Sequence, residues 1–330
     1  MNRKLSIKII GVLIMIFVLG VLILSGCKSN DGAKSKEHKI RVAEQYGLAY
    51  APLQIMKENK IMEKNLPGVE VSWEQVGNTA AIREAMLANK IDAGFMAIPP
   101  FLIGWDKGME WRIASGLSSS PIGLVTYRDD IKTIRGFTKD DRIALPQPGS
   151  VQHILLSMAC EREFSDAKRL DDLLVTMKHP DGMNALLTKK DITAHFTSPP
   201  YIFKELEQKG MHQILSGSES MGKDFTFIIG VTTNKFHDNN PLVYNAFVKS
   251  LHEAMEFIQN DPEKSAKILS NEYNLPKEEV LKYITSEGME YDSEIRGIYE
   301  FADFMVRNDY ISKTFEDINN IIWEDVQYEK

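Results

Sequence analysis

Gly149 and Ser150 stand immediately before VQHILLSMAC, in which Val151, Ile154, Leu155 and Met158 recur at helical spacing. The first turn of a helix carries backbone N–H groups without intrahelical partners, and a serine hydroxyl beside them completes a small anion-binding site. Ser150 serves equally well as a simple N-cap. His153 in that first turn and His195 at the end of ITAHF are the histidines placed to reach a ligand, although a lone histidine is commonly a packed or solvated residue. Gln45 ends a strand-like run, and Asn78, Thr79 and Ser198 each precede a helical pattern with a polar side chain that can cap or contact. Tyr46, Tyr50, Phe101 and Tyr201 follow strands or open helices, where a ring stacks on a flat ligand, covers an aliphatic one or packs the edge of a cleft.

These residues are positioned by alternating β-rich and helical segments, the mark of an α/β protein. IRVAEQYG is a strand ending near Gln45, and Pro52 suits the first turn of the helix APLQIMKENK. VEVSWEQVG puts Val69, Val71 and Trp73 on one face, with Trp73 read as core, before a helix capped by Asn78 or Thr79. In open α/β sheets ligands bind at the C-terminal ends of strands, where helix N-termini gather. The chain writes this unit twice: AMLANKIDAGFMAIPPF from Ala85 overlies ALLTKKDITAHFTSPPY from Ala185 without a gap, with five identities in seventeen residues. In both, a helix ends near lysine, a short strand follows, and prolines, with Pro99 in the first copy and Pro199 and Pro200 in the second, open the next helix. Two unrelated strand–helix turns would read the same way; the alternative is two similar lobes presenting one such turn each to a shared cleft. Farther on, Phe247, Leu251, Met255 and Ile258 form one buried helical face, and Asp261 with Pro262 opens another helix.

The 330 residues, 43% hydrophobic and 26% charged, suffice for two lobes with separate cores. The first segment is of another kind. Arg3, Lys4 and Lys8 precede an unbroken apolar run, which reads as an export signal over residues 1–26 or, on hydrophobicity alone, as a membrane span. Leu24, Ser25, Gly26 and Cys27 favour the signal, since a branched apolar residue, two small residues and cysteine resemble the bacterial lipobox. Cys27 is then the lipidated residue, and residues 27–38, polar and small, are a tether reaching at most roughly 40 Å. Cys160 lies among apolar residues and reads as a buried, inert thiol. Loss of the signal takes the formal charge from −7 to −10, which disfavours nucleic acid and anionic lipid as partners. The seven histidines show no close pair at zinc-ligand spacing, and no glycine-rich phosphate loop, nucleophile elbow or cofactor motif is present, so neither metal nor cofactor is expected.

The lipobox, GNTAAIREAMLANKIDAGFMAIPP, LPQPGSVQHILL, ITAHFTSPPY and FTFIIGVTTNKF, taken together and in this order, resemble the nitrate, sulfonate, taurine and thiamine-precursor group of ABC-importer substrate-binding proteins, from about Ile40 onward. The resemblance implies a type II periplasmic-binding-protein-like fold: two α/β lobes joined by two extended crossovers and closing like a hinge on a small ligand. It implies crossovers near GLVTYRDD after Gly123 and near GKDFTFIIG after Gly222, with lobe 1 over 39–127 plus 225–330 and lobe 2 over 128–224. It also marks the glycine–serine turn followed by histidine at Gly149, Ser150 and His153 as a ligand signpost. An ABC permease with its ATPase is the implied partner, the binding protein acting as a monomer held at the outer face of the cell membrane by its lipid. The ligand stays open: Ser150, Thr79 and Ser198 lean toward a sulfonate-like organic anion, whereas an aminopyrimidine asks for stacking and carboxylates. A ligand sensor without transport, or an enzyme like those that make the thiamine pyrimidine, are the remaining readings.

Overall fold

The computed structural model describes residues 38–329; the expected signal, Cys27 and all of the tether except His38 lie outside the described residues. Alternating apolar residues in KIRVAE form β1 (Lys39–Glu44), and Pro52 sits in the first turn of α1 (Ala51–Glu58), followed by the short α2 (Ile61–Asn65). Next come β2 (Glu70–Gln75), α3 (Thr79–Leu87), β3 (Ala93–Ala97), α4 (Ile98–Asp106) and β4 (Trp111–Ser118). Val69 is buried, while Val71 and Trp73 are half-buried against the core because β2 is an edge strand.

From β5 (Gly123–Thr126) the pattern repeats: β6 (Ile143–Leu145), α5 (Val151–Phe164), β7 (Leu174–Thr176), α6 (His179–Leu187), β8 (Ala194–Thr197), α7 (Tyr201–Leu206), β9 (His212–Ser216) and α8 (Gly217–Met221). The chain then returns through β10 (Ile228–Thr233) and finishes with α9 (Asn234–Asn239), α10 (Pro241–Asn260), α11 (Pro262–Tyr273), α12 (Lys277–Ile284) and α13 (Ile298–Arg307). Phe247, Leu251, Met255 and Ile258 of α10 are all buried, and Asp261 caps α11 through Lys264 N–H. Among the described residues no helix is long and apolar enough to cross a membrane.

Two five-stranded sheets result, ordered β2-β1-β3-β10-β4 and β7-β6-β8-β5-β9. Each has three parallel strands followed by an antiparallel one, β10 against β3 and β4 in the first sheet and β5 against β8 and β9 in the second. Each antiparallel strand is thus the one the chain lays down on entering from the other sheet. The first exchange lies at Ser119–Ile122, earlier than the expected crossover after Gly123, since Gly123–Thr126 pairs wholly within the second sheet. Ser119, Ser120 and Pro121 carry no apolar alternation, and proline cannot donate to a ladder, so the strand breaks there. The return runs through the stretch between Gly222 and Ile228.

The internal repeat is visible in the backbone. Helices α3 and α6 occupy residues 79–87 and 179–187. Each ends with a positive-φ residue, Asn89 or Lys189, both at φ 53°. The following lysines, Lys90 and Lys190, donate their N–H groups to Ala85 O and Ala185 O at 2.8 and 3.0 Å. The proline phrases then part company. Pro99 and Pro100 lie in the first turn of α4, as expected, but α7 starts only at Tyr201, so Pro199 and Pro200 precede it and are joined by a cis peptide bond.

The C-terminal segment closes the edge of the first sheet. Ile113 pairs with Ile322, Ser119 with Glu290, and Gly116 N–H donates to Ser293 O at 2.9 Å. A Cβ on Gly116 would stand 2.7 Å from Glu294 O and 2.9 Å from the Ser293 carbonyl carbon, and backbone cannot step aside as a side-chain tip can. Gly116→Ala is therefore expected to lower stability by about 1–3 kcal/mol through overpacking. Urea unfolding should show a lower midpoint at unchanged slope, and an unchanged midpoint would mean that the closing segment is loosely held.

Candidate functional site

Because β1, β2, β3 and β6, β7, β8 are parallel within their sheets, the helices that follow them begin at one edge of each sheet. The cleft lies among those beginnings. It is lined by Tyr50 before α1, Asn78 and Thr79 at the start of α3, Ala97 before α4, Ser150 and Val151 at the start of α5, and Lys178 and His179 at the start of α6. Residues at the starts of five helices thus line one cleft, whose enclosed cavity is about 50 Å³. A helix N-terminus carries up to roughly half a positive elementary charge, which favours an anion near it; α4, opening with Ile98, Pro99 and Pro100, has fewer free N–H groups to offer.

The cleft brings together Gln45, Tyr46, Tyr50, Asn78, Thr79, Ser150 and Ser198 of the residues singled out from sequence. Asn78 Oδ1 accepts from Ala81 N–H at 3.0 Å, making it the cap of α3. Gln45 Nε2 donates to Thr79 Oγ1 at 3.1 Å and to Phe95 O at 3.2 Å, which holds the Gln45 amide against the floor of the cleft. Ser150 Oγ accepts the His153 N–H at 3.3 Å; its own hydroxyl proton remains for a ligand, so cap and contact are compatible. Tyr50 is 5% exposed and its phenol is held well above the usual range by burial and by Glu44.

The other expected residues lie elsewhere. Phe101 is fully buried and stacks on Trp111, with ring centroids 5.6 Å apart, because it points back into the first core. Pro99 is buried in the first turn of α4, and its neighbour Pro100 reaches the cleft instead. Gly149, at φ 77°, donates its N–H to His153 Nδ1 at 2.9 Å, and His153 Nε2 lies 3.1 Å from Asp171 Oδ1. Both His153 nitrogens and the Gly149 N–H are therefore committed to holding the turn, and neither residue lines the cleft. His195 is fully buried behind the wall, and Tyr201 stacks on His179 with centroids 5.7 Å apart.

Lys178 and His179 were not expected. They are the equivalents, one hundred positions on, of Asn78 and Thr79, so extending the internal overlay upstream from Ala85 and Ala185 would have reached them. Lys178 is the one charged side chain lining the cleft among the described residues, and its Cε lies over Gly77, where a Cβ would come within 2.9 Å. The two walls also meet through Leu48 N–H, which donates to Pro199 O at 3.1 Å. No carboxylate lines the cleft among the described residues. Glu44, buried beside Gln45, has both oxygens bound by Gln54 Nε2 at 2.7 Å, and burial pushes it up to about 7.

Behind the second wall His195 Nδ1 lies 2.6 Å from Glu205 Oε1, with both side chains fully buried. Burial raises Glu205 to about 9 and lowers His195 to about 3, while burial and the neighbouring His195 lower His179 to about 3. Burial thus favours the neutral form of each partner, a carboxylic acid against an imidazole. Unfolded glutamate titrates at 4.5, so between there and about pH 9 the folded state holds one more proton at Glu205 than the unfolded state does. Its contribution to stability falls as pH rises across that window. The histidines act oppositely, but only below their unfolded value of 6.5. The melting temperature is therefore expected to fall between pH 7 and 9, and Glu205→Gln to flatten that slope; identical slopes for the two proteins would show Glu205 ionised in the fold.

Residues 33–270 match the NMT1-like family. A protein of Escherichia coli (strain K12) described as an aliphatic sulfonates-binding protein is 21% identical over 305 residues, covering 90% of this chain and 92% of its own. Among solved structures, the periplasmic aliphatic sulphonate binding protein from Escherichia coli is similar at a TM-score of 0.69 and 20% identity, covering 89% of this chain and 94% of that one. The periplasmic nitrate-binding protein from Synechocystis PCC 6803 is similar at a TM-score of 0.70 and 16% identity, covering 88% and 87%. A Candida albicans protein with a TM-score of 0.68, at 13% identity over 88% of this chain and 98% of its own, is described as having the generic periplasmic binding protein fold. These likenesses carry the two-sheet, cleft-centred fold, and with the match over residues 33–270 the chain belongs to the NMT1-like family.

Proposed function

We propose that this chain is an extracytoplasmic solute-binding lipoprotein that captures a small organic anion and delivers it to an ABC import permease and its ATPase. The observation that carries this reading is the convergence of five helix N-termini and the Lys178 ammonium on a cleft whose described lining holds no carboxylate. A helix N-terminus contributes roughly 0.3–1 kcal/mol to holding an anion, and micromolar binding needs about 8 kcal/mol, so no single terminus suffices. Several termini, Lys178, the Ser150 and Thr79 hydroxyls and exclusion of water must act together. Tyr46, Tyr50, Pro100, Pro146, Val151 and Ile228 offer the ligand an apolar surface, which suits a short alkyl group behind the charged end. The same lining argues against the aminopyrimidine alternative and against taurine, whose amino groups would want a carboxylate partner. The sulfonate-binding relatives support the choice of ligand class.

The lobes built on the two sheets close on the ligand as a monomer, exchanging chain at Ser119–Ile122 and between Gly222 and Ile228. Cys27, acylated after cleavage of residues 1–26, would hold the body at the outer face of the membrane. Metabolic labelling with a fatty acid is expected to mark the wild type and not Cys27→Ala; labelling of neither would remove the lipid anchor from the account.

A thermal-shift screen of alkanesulfonates, nitrate, taurine, aminopyrimidines and neutral amino acids tests the ligand class. An anion at one hundred times its dissociation constant adds about 2.7 kcal/mol of stability. Short alkanesulfonates are expected to raise the melting temperature most, and Lys178→Met to weaken the hit about ten-fold or more, the loss of one charge-assisted hydrogen bond. Stabilisation by aminopyrimidines with every anion inert would overturn the assignment.

A further inference from the structure

A continuous polar file leads from the cleft into the interior of the second sheet's side. Gln152 Nε2 lies 3.4 Å from His179 Nε2, His179 Nδ1 lies 3.4 Å from His195 Nε2, and His195 Nδ1 lies 2.6 Å from Glu205 Oε1. Gln152 and His179 line the cleft, whereas His195 and Glu205 are fully buried. Space for the file is made by Gly182 in α6, where a Cβ would stand 2.6 Å from His195 Nε2. A glycine inside a helix is destabilising relative to alanine, and here the imidazole occupies the place of the missing side chain.

We propose that Glu205 and His195 are positioning residues that fix the tautomer of His179, so that its Nε2–H is presented as a donor to the anion in the cleft. This rests on the anionic-ligand reading above. The order of protons follows from which atoms have partners. Glu205 Oε2 is buried without one, so the proton of the neutral acid sits on Oε1 and is donated to His195 Nδ1, as the short 2.6 Å separation suits. His195 Nδ1 then accepts, and its proton is on Nε2, facing His179 Nδ1. Thr197 Oγ1, 3.1 Å from that same Nδ1, adds a hydroxyl donor to it. His179 Nδ1 therefore accepts, and its single proton is on Nε2, at the cleft wall. Gln152 presents its Nε2 to that nitrogen at 3.4 Å, so in this order of protons its amide turns its oxygen inward or gives way to the ligand. Burial of Glu205 with Oε2 unpartnered favours the protonated acid, and with it this direction of the file. Reversed, with an ionised Glu205, the file would end in a lone pair aimed at the anion.

Long-range ¹H–¹⁵N correlation spectra of histidine-labelled protein read the tautomers directly, without any ligand. Wild type and Glu205→Gln, whose amide still donates to His195 Nδ1, are expected to show His179 and His195 as Nε2–H. Glu205→Leu, which removes the donor, should give mixed tautomers. With ethanesulfonate as probe, Glu205→Gln should bind within two-fold of wild type and Glu205→Leu roughly ten-fold more weakly, the scale of one hydrogen bond to a charged group. A wild-type His179 protonated on Nδ1 would overturn the proposal even if Glu205→Leu fails to fold, as would equal tautomers and affinities in the two variants. Correct tautomers in a protein that binds aminopyrimidines and no anion would instead overturn the anionic reading, and with it the role given to the N–H.

Discussion

The direction of parallel strands is the constraint on which everything else depends. A strand that enters a parallel sheet must leave at the same edge as its neighbours, and the helix that carries the chain back must begin there. Here that rule operates twice, in β2-β1-β3 and in β7-β6-β8, and it gathers the beginnings of α1, α3, α4, α5 and α6 around one cleft. No residue has to be charged for the cleft to be positive, because the peptide groups themselves supply the field. This explains how a chain of formal charge −7 can build an anion-favouring pocket: the acids are elsewhere on the surface, or buried where they lose their charge.

That second device matters as much as the first. Glu44 and Glu205 are both buried and neither lines the cleft, one bound by Gln54 and the other at the end of the histidine file. As carboxylates they would set negative charge against the ligand; as buried groups they favour the neutral acid, Glu205 by the wider margin. In the proposed arrangement a protonated Glu205 also gives the file of imidazoles a direction, which an apolar side chain could not do. Desolvation, elsewhere a cost, is what makes a carboxyl group usable next to an anion site.

Much of this was legible in the sequence because the repeat is long and its grammar is local. The patterns around Asn78 and Ser150 predicted caps that the structure places there, and Pro52 and Asp261 with Pro262 lie at helix starts as expected. Local grammar does not say which face of a turn looks into the cleft. Phe101 and Pro100 are adjacent in one helical turn, yet one is in the core and the other at the ligand space. His153 and His195 sit on the expected elements, but their ring nitrogens are taken by Gly149, Asp171 and Glu205, partners eighteen residues away or fewer that no spacing rule connects. Lys178 and His179 escape a repeat aligned on its identities because the cleft-lining positions are those where the two copies differ, Asn78 and Thr79 on one wall and a cation and an imidazole on the other. GLVT reads as a strand of either sheet until its partners, β8 and β9, are known.

If the cleft works through its field, charge and not shape decides what it holds. Calorimetric titration with methanesulfonate and with methanesulfonamide, close in size but neutral, separates the two at pH 7. The account predicts that the sulfonate binds and that the sulfonamide binds at least ten-fold more weakly, since several helix termini and Lys178 each lose a partner charge. Equal affinity for the two compounds would contradict it.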